Sequence, residues 1–304
     1  MMNFEEYTEQ VMKGLEELAA GSCQVRLQEK LKNNGVKQTG VTVLWEGENV
    51  SPIIYLDPFY QEYKYGNGTI SDAVESIYET LEKHSGKTME SLNVSDIKVW
   101  DKMKDRIHAK LINADLNQEL LENVPHRLVL DLAEVYYVKV GVLGAMEDGT
   151  SFGSILVTNA QAELWDVDEE MLHTQAGVCM ESEQVEFVNM MEIIRQIRLD
   201  QHLEMEDMED TGMYVLTNPE KLYGAAELLN EKVLSDIAED LQDDLLLLPS
   251  SIHELIILRA EDRECRELAD MVQEVNDTNL SPDEILSYHV YCFDRSTRKL
   301  SIAA

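Results

Sequence analysis

Basic residues are scarce in this chain of 304 residues. There are 25 lysines and arginines against 59 aspartates and glutamates, which gives a formal net charge of −34. A protein with this balance repels nucleic-acid phosphates and anionic membranes unless it carries a local basic face. The sequence contains no cluster that would form such a face. We therefore expect no direct binding to nucleic acid or to a membrane.

Cysteines and long apolar runs are also few. No two of the four cysteines, Cys23, Cys179, Cys265 and Cys292, have Cys-x-x-Cys or zinc-site spacing. Four scattered cysteines predict free thiols in a reducing compartment. No apolar run approaches the ~18 residues of a membrane-spanning helix, and the acidic start MMNFEEYTEQ is unlike a signal peptide. These features predict a cytoplasmic protein.

The acidic residues are concentrated in the second part of the chain. Residues 1–110 contain 18 acids and 13 bases, whereas residues 111–304 contain 41 acids and 12 bases. A solvated surface that keeps the protein soluble explains this pattern. A docking face for a basic partner and a mimic of the DNA backbone are the two sharper interpretations.

Hydrophobic spacing predicts helices and strands in an irregular order. Helical spacing covers residues 3–20, 69–86, 94–107, 184–199, 231–241 and 263–276, and helix starts are predicted at Asp166–Glu169 and Ser281–Glu284. Strands are predicted at residues 41–45, 106–113, 213–218, 245–248 and 253–259, with a closing hairpin at 289–303. Residues 126–143 favour strand, with helix as the alternative, and residues 24–31 fit either.

This irregular alternation favours an α+β fold with mixed sheets and packed helices over a regular doubly wound sheet. The polar segment MEDGTSFG is the best candidate boundary. It predicts an N-terminal α+β half at residues 1–147 and an acidic α+β half at residues 148–304, or else one continuous domain.

Several catalytic and ligand-binding motifs begin in the sequence and then fail. SGKT at 85–88 has Leu81 where a phosphate loop requires glycine, and HELII has Ile257 where a zinc protease requires a second histidine. DMEDTG at 207–212 has Asn218 where a calcium loop requires a carboxylate. We therefore expect no cofactor and no metal, and the chain leans away from being an enzyme.

The segment LLLLPSSIHELIIL is the best candidate site. Ser250, Ser251, His253 and Glu254 lie between two apolar runs, where strand ends commonly present ligand contacts. The serines lack the Gly-x-Ser-x-Gly elbow of a nucleophile. Three interpretations stay open, namely a tight connection between buried strands, a binding site and a catalytic site.

An ordered series of segments carries a resemblance to a known family. The series is NNGV, NVSPIIYLDPFY, VPHR with DLAEVYY, YVLTN with GAAELL, LLLLPSSIHELIIL and EVNDTNLSPDEILSYHVYCFD. It resembles the domain-of-unknown-function family 5688 of anaerobic, mainly gut, bacteria. The resemblance covers nearly the whole chain and implies a soluble intracellular protein with no assigned activity, cofactor or catalytic residues.

Taken together, these features predict a non-enzymatic cytoplasmic binding or adaptor protein that engages a partner, in particular a basic protein, through an acidic surface. The alternative is a hydrolase-like or small-ligand-binding enzyme centred on Ser250, Ser251, His253 and Glu254. A DNA mimic is the weaker alternative.

Overall fold

A computed structural model describes residues 2–46, 51, 53–84, 94–141, 152–200, 211–261 and 263–304. The chain forms two compact units. Unit 1 comprises Met1–Met103 and Lys139–Ser154, and unit 2 comprises Lys104–Val138 and Ile155–Ala304. The predicted boundary between residues 147 and 148 lies outside the described residues and stays a prediction, and SGKT and residues 207–210 of DMEDTG lie outside them too. No helix in the described ranges is long and apolar enough to cross a membrane.

Unit 1 combines helices with a three-stranded antiparallel sheet of order β1-β2-β3. Its elements are α1 (Phe4–Ala19), β1 (Cys23–Leu31), β2 (Lys37–Trp45), β3 (Ile54–Tyr55), α2 (Asp57–Tyr65), α3 (Ile70–His84), α4 (Val94–Ile97) and α5 (Trp100–Met103). Helix α1 begins with a capping box, in which Asn3 and Glu6 each accept the backbone N–H of the other. Its apolar face packs on β2 and α3 in one core.

The first sheet of unit 2, which we call sheet B, is four-stranded, and the outer ends of β6 and β7 belong to unit 1. Its strands are β4 (Ile107–Asn113), β5 (His126–Val129), β6 (Leu132–Gly141) and β7 (Phe152–Leu156), accompanied by helices α6 (Gln118–Leu121), α7 (Asn159–Trp165) and α8 (Glu169–Ser182). Strand β6 pairs with β4, β5 and β7. Helix α8 packs against β4.

The second sheet of unit 2, sheet C, has six strands in the order β13-β12-β10-β11-β9-β8. The strands are β8 (Glu186–Asn189), β9 (Tyr214–Thr217), β10 (Leu245–Leu248), β11 (Leu255–Arg259), β12 (Tyr291–Asp294) and β13 (Lys299–Ile302). The accompanying helices are α9 (Met190–Asp200), α10 (Glu231–Leu241) and α11 (Cys265–Asn279). A 3-10 helix, Gly224–Leu229, precedes α10.

The uninterrupted run LLLL is explained by the central position of β10. Leu245 and Leu247 face the core that includes Ile237 of α10, whereas Leu246 and Leu248 face the core that includes Leu268 of α11. Because both faces of the strand are covered, all four leucines are buried and no polar residue alternates with them. The predicted strand at 245–248 is confirmed.

The α+β class and the closing hairpin are confirmed. The three sheets of the described chain are antiparallel, which corrects the expectation of mixed sheets. Within the predicted segment 126–143, the described residues 126–141 form two strands, because the chain reverses direction between β5 and β6 at Leu130, which has a left-handed backbone (φ 57°). Adjacent antiparallel strands need only such a short turn.

Three predicted helical segments are wrong in part. Residues 186–189 form β8 because Val188 pairs with Val215 of β9, so the helix begins only at Met190. The segment 94–107 is divided into α4, α5 and a 3-10 turn. Ser281–Glu284 forms a single turn, and the carbonyl of Glu284 accepts the N–H of Ile252 instead of continuing a helix.

The predicted cap of α8 is displaced by two residues. Asp166 adopts a left-handed backbone and ends α7. Asp168 instead caps α8, since its carboxylate accepts the N–H of Met171 at 2.9 Å. Two acids on the same turn compete for this role, and only the one whose backbone is extended can serve as an N-cap.

A partly buried carboxylate links sheet B to sheet C. Asp131, in the β5–β6 turn, accepts hydrogen bonds from the hydroxyls of Ser287 and Tyr291, both at 2.8 Å, and its Oδ2 lies 3.0 Å from His289 Nδ1. Burial raises the pKa of Asp131, but the bonds from His289, Ser287 and Tyr291 outweigh it and lower the pKa below the usual value. The carboxylate is therefore held in its charged form.

We expect Asp131→Asn to lower the free energy of unfolding at neutral pH by about 2–4 kcal/mol. The amide offers one acceptor atom where the carboxylate offers two, and it turns an N–H towards a donor. Urea unfolding of the variant beside Asp115→Asn, which removes an exposed carboxylate, measures the difference. Equal midpoints for the two variants would contradict the role assigned to Asp131.

Candidate functional site

The predicted segment Ser250–Glu254 forms the loop between β10 and β11. The hydroxyl of Ser250 donates to the carbonyl of Glu254 at 3.4 Å and lies 3.3 Å from its Oε1. The hydroxyl of Ser251, which is buried, accepts the backbone N–H of His253 at 2.9 Å. Both serines therefore close the loop on itself.

The His253 imidazole fastens this loop to the segment before α10. Its Nδ1 accepts the backbone N–H of Tyr223 at 3.2 Å, so the neutral ring carries its proton on Nε2. Nε2 lies 3.9 Å from Glu284 Oε1, beyond hydrogen-bond distance. Burial lowers the pKa of His253, although Glu284 and Glu254 oppose this shift. The ring is consequently neutral at pH 7.

Aromatic packing surrounds the ring of His253. Tyr223 stacks on it with ring centroids 5.8 Å apart, and Tyr137 meets Tyr223 edge-on at 5.1 Å. The Lys110 ammonium lies 4.6 Å from the centroid of Tyr223. A Cβ at Gly224 would lie 2.2 Å from Thr217 Oγ1 and 2.6 Å from the His253 carbonyl oxygen, which explains the glycine.

The structure thus brings the four predicted residues into one loop, but it does not join their reactive groups. Ser251 contacts His253 through the backbone N–H, and no serine hydroxyl reaches an imidazole nitrogen of His253 in the described chain. Ser250 pairs with Glu254 on its own. A binding role for these residues stays a prediction.

A second location in unit 2 has more of the features of a site. A cavity of about 410 Å³ lies between strands β4 and β6, helix α8, the start of α10 and the β12–β13 turn. Its lining includes Glu134 of β6, His173 of α8, Ser235 of α10 and Arg298 of the turn. Pockets of this size accommodate small molecules.

A buried carboxylate and a partly exposed imidazole form a pair in the cavity wall. His173 Nδ1 lies 2.9 Å and 3.0 Å from the two carboxylate oxygens of Glu134. The Glu134 side chain is 2% exposed, and that of His173 is 37% exposed. Burial raises the pKa of Glu134, and the hydrogen bond and charge of His173, with Arg127, oppose it. The pairing uses Nδ1, which leaves Nε2 of His173 for a ligand.

Position in sheet B explains why Glu134 is buried. It lies opposite Leu111 of β4 and Arg127 of β5, in the middle of the sheet. Arg127 does not pair with Glu134 directly. It binds Glu169 at 2.7 Å and also Glu170, both in the first turn of α8. These ion pairs hold α8, and with it His173, over Glu134.

Ser235 adds an unused polar group to the cavity wall. The residue is 8% exposed, and its buried hydroxyl has no hydrogen-bond partner in the described chain. Buried hydroxyls without partners are uncommon and call for an explanation such as a ligand. Beside it, Asn230 caps α10 by accepting the N–H of Val233 at 3.2 Å and also donates to Glu227 at 2.9 Å.

Sequence patterns could not identify this cavity, because its parts are far apart in the chain. Glu134 and His173 are 39 residues apart. The one available signal was Glu134 itself, a lone acid in the apolar strand LAEVYYV. Among the described residues, no group of three or more His, Cys, Asp and Glu side chains could hold a metal ion.

Glu227 is a further buried acid, and its surroundings shift its pKa. Burial raises its pKa to about 7, the bond from Asn230 lowers it and the charge of Glu183 raises it. The folded state therefore holds this proton more tightly than the unfolded state, whose carboxyl has the ordinary value of 4.5. The contribution of Glu227 to the free energy of unfolding is fully present below the pKa of the unfolded state. It is lost as the pH rises through the pKa of the folded state, about 7.

We expect Glu227→Gln to remove this dependence. Between about pH 5 and pH 8, the wild type should lose roughly 3 kcal/mol more free energy of unfolding than the variant. Urea unfolding at the two pH values measures this difference. The control is Glu274→Gln, a substitution at an exposed position. If the wild type and Glu227→Gln have the same pH dependence, the raised pKa is contradicted.

Comparison with known proteins gives a family and no activity. The family model described as "Family of unknown function (DUF5688)" matches residues 4–295. No curated protein and no solved structure matches the chain. The match covers well over half of the sequence, and the chain belongs to this family of unknown function.

Proposed function

We propose that unit 2 is a small-ligand-binding module and that its ligand occupies the cavity lined by Glu134, His173 and Ser235. The observation that carries this proposal is the pair formed by a carboxylate that is 2% exposed and a histidine in the cavity wall. Burying a carboxylate in a protein core is costly even when it is paired. A site that handles hydrogen bonds or protons is a good reason for that cost.

The geometry of the pair gives His173 a defined chemical role. Glu134 orients the ring through Nδ1. In the neutral tautomer with its proton on Nδ1, the imidazole presents an unprotonated Nε2. Carboxylates hold histidine bases in this way. His173 then accepts a hydrogen bond or a proton from the ligand, and Ser235 supplies a second polar contact.

The alternative centred on Ser250, Ser251, His253 and Glu254 has less support. The Nδ1 atom of His253 already accepts a backbone N–H, and both serine hydroxyls are used within the loop. These bonds favour a loop-fastening role for the segment. They make the cavity the stronger candidate for ligand binding.

Gly177 of α8 allows the cavity to be blocked without repacking the core. It lines the cavity, and a Cβ built there meets no atom within 4 Å. Gly177→Leu should therefore fill part of the cavity, and Gly177→Ala is the matched control with a single methyl. Both residues favour a helix more than glycine does, so we expect both variants to fold.

The test is an NMR screen of polar fragments against the full chain, read from the His173 ring signal, which the variant His173→Gln identifies. We expect fragments with Kd near ~1 mM to shift this signal. Their binding should weaken about tenfold or more in Gly177→Leu and stay unchanged in Gly177→Ala. Equal binding by both variants, or no fragment that shifts the His173 signal, would refute the proposal.

A second candidate function is the engagement of a basic protein by an acidic surface, in the cytoplasm. Exposed acids at helical spacing form a stripe along α11, namely Glu267, Asp270, Glu274 and Asp277. The stripe spans about 15 Å at 1.5 Å per residue. Four free cysteines support a reducing, cytoplasmic location.

Pull-down from lysate at low and high salt tests this second candidate. The test variant neutralises the stripe with Glu267→Gln, Asp270→Asn, Glu274→Gln and Asp277→Asn. The control variant removes the same charge from exposed positions of α1 with Glu5→Gln, Glu9→Gln, Glu16→Gln and Glu17→Gln. We expect a basic partner that is lost at high salt and lost only from the α11 variant, since salt screens exposed charges. A partner that both variants retain would exclude the stripe.

A further inference from the structure

The cavity proposed above as a ligand site also has a distinctive charge. Besides Glu134, its lining contains the carboxylates of Glu181, Glu231 and Asp236. These three side chains are exposed at their helices and belong to no ion pair among the described residues. Acids that remain unpaired around a concavity concentrate negative potential there and attract cations.

Ser235 provides an independent indication that the site is built for a ligand. Its hydroxyl is buried, lacks a hydrogen-bond partner in the described chain and belongs to a residue of the cavity wall. In the neutral tautomer with its proton on Nδ1, towards Glu134, His173 offers Nε2 as a second acceptor. A ligand that satisfies both groups and the carboxylates must donate several hydrogen bonds.

From this combination we infer that the ligand carries a protonated primary amine. An ammonium group donates three hydrogen bonds and accepts none, which fits hydroxyl, imidazole and carboxylate acceptors. This inference rests on the proposed function. Charge-assisted bonds from ammonium to carboxylate would supply most of the selectivity.

Two cationic side chains at the cavity allow a simple amine to be distinguished from an amino acid-like zwitterion. Lys232 and Arg298 also line it, and the Arg298 guanidinium lies 3.9 Å from a carboxylate oxygen of the exposed Glu239. A simple amine leaves both cations unused. An amino acid-like zwitterion places its carboxylate against them, so the two sources of an ammonium group are distinguishable by their affinities.

Four probes with the same carbon chain test the inference, namely butylamine, 4-aminobutyrate, 1-butanol and butyrate. Binding to the full chain is followed at neutral pH by the His173 ring signal. We expect butylamine or 4-aminobutyrate to bind about tenfold more tightly than 1-butanol and butyrate. Tighter binding of 4-aminobutyrate than of butylamine would assign the zwitterion, and the reverse order would assign the simple amine.

Variants connect the selectivity to the acids. Asp236→Asn and Glu181→Gln should each weaken amine binding about tenfold, whereas Asp240→Asn, an exposed position of α10 outside the cavity lining, should not. Preference for 1-butanol or butyrate, or no binding by either amine, overturns the amine inference. If fragments still shift the His173 signal and Gly177→Leu blocks them, the cavity proposal survives that result. If no fragment shifts it, both proposals fail.

Discussion

The hydrogen bonds to Asp131 are the constraint on which unit 2 depends. This carboxylate belongs to the β5–β6 turn, and it accepts from two residues that precede β12 and from the first residue of β12. It therefore joins sheet B to sheet C, together with the apolar core that the two sheets share. The cavity is lined from both, with Glu134 in sheet B and Arg298 in the last turn of sheet C. Loss of the hydrogen bonds to Asp131 would displace the two sides of the cavity relative to each other.

Three polar side chains of unit 2, Asp131, His253 and Glu134, differ in their hydrogen-bond partners. These differences indicate their roles. Asp131 receives three donors and is fully satisfied, which is the pattern of a structural junction. His253 has its Nδ1 committed to a backbone N–H, which fastens a loop. Glu134 has a single side-chain partner, His173. The other ring nitrogen of His173, Nε2, remains available for a ligand at the cavity wall. Only the third arrangement has capacity for a ligand.

The acidic composition has consequences inside the unit as well as on its surface. Glu227 lies where burial and the charge of Glu183 both favour its protonated form. The exposed acids of α11, by contrast, stay solvated and face outwards. An overall charge of −34 therefore combines surface charge with a buried acid, Glu227, whose pKa is raised to about 7.

Local patterns alone determined a large part of this fold. The leucines of β10 and the periodicity of α1 and α10 predict their elements, because burial of a face imposes spacing on contiguous residues. The spacing of residues 186–189 wrongly predicted a helix. They form strand β8 because they pair with β9, which lies more than twenty residues later in the chain. The segment from Ser250 to Glu254 was recognisable as one connection, because it is a polar stretch between two apolar runs. Its hydrogen-bond partners were not recognisable from the sequence.

By itself, then, the sequence determined the α+β class, the buried strands and the acidic balance, all of which depend on composition or on neighbouring residues. Only the tertiary structure decided which polar groups meet. Glu134 and His173 are 39 residues apart, and Asp131 and Tyr291 are 160 apart. Their pairing follows from the register of sheet B and from the packing of α8 and sheet C, and contacts of that range have no periodic signal in a single chain.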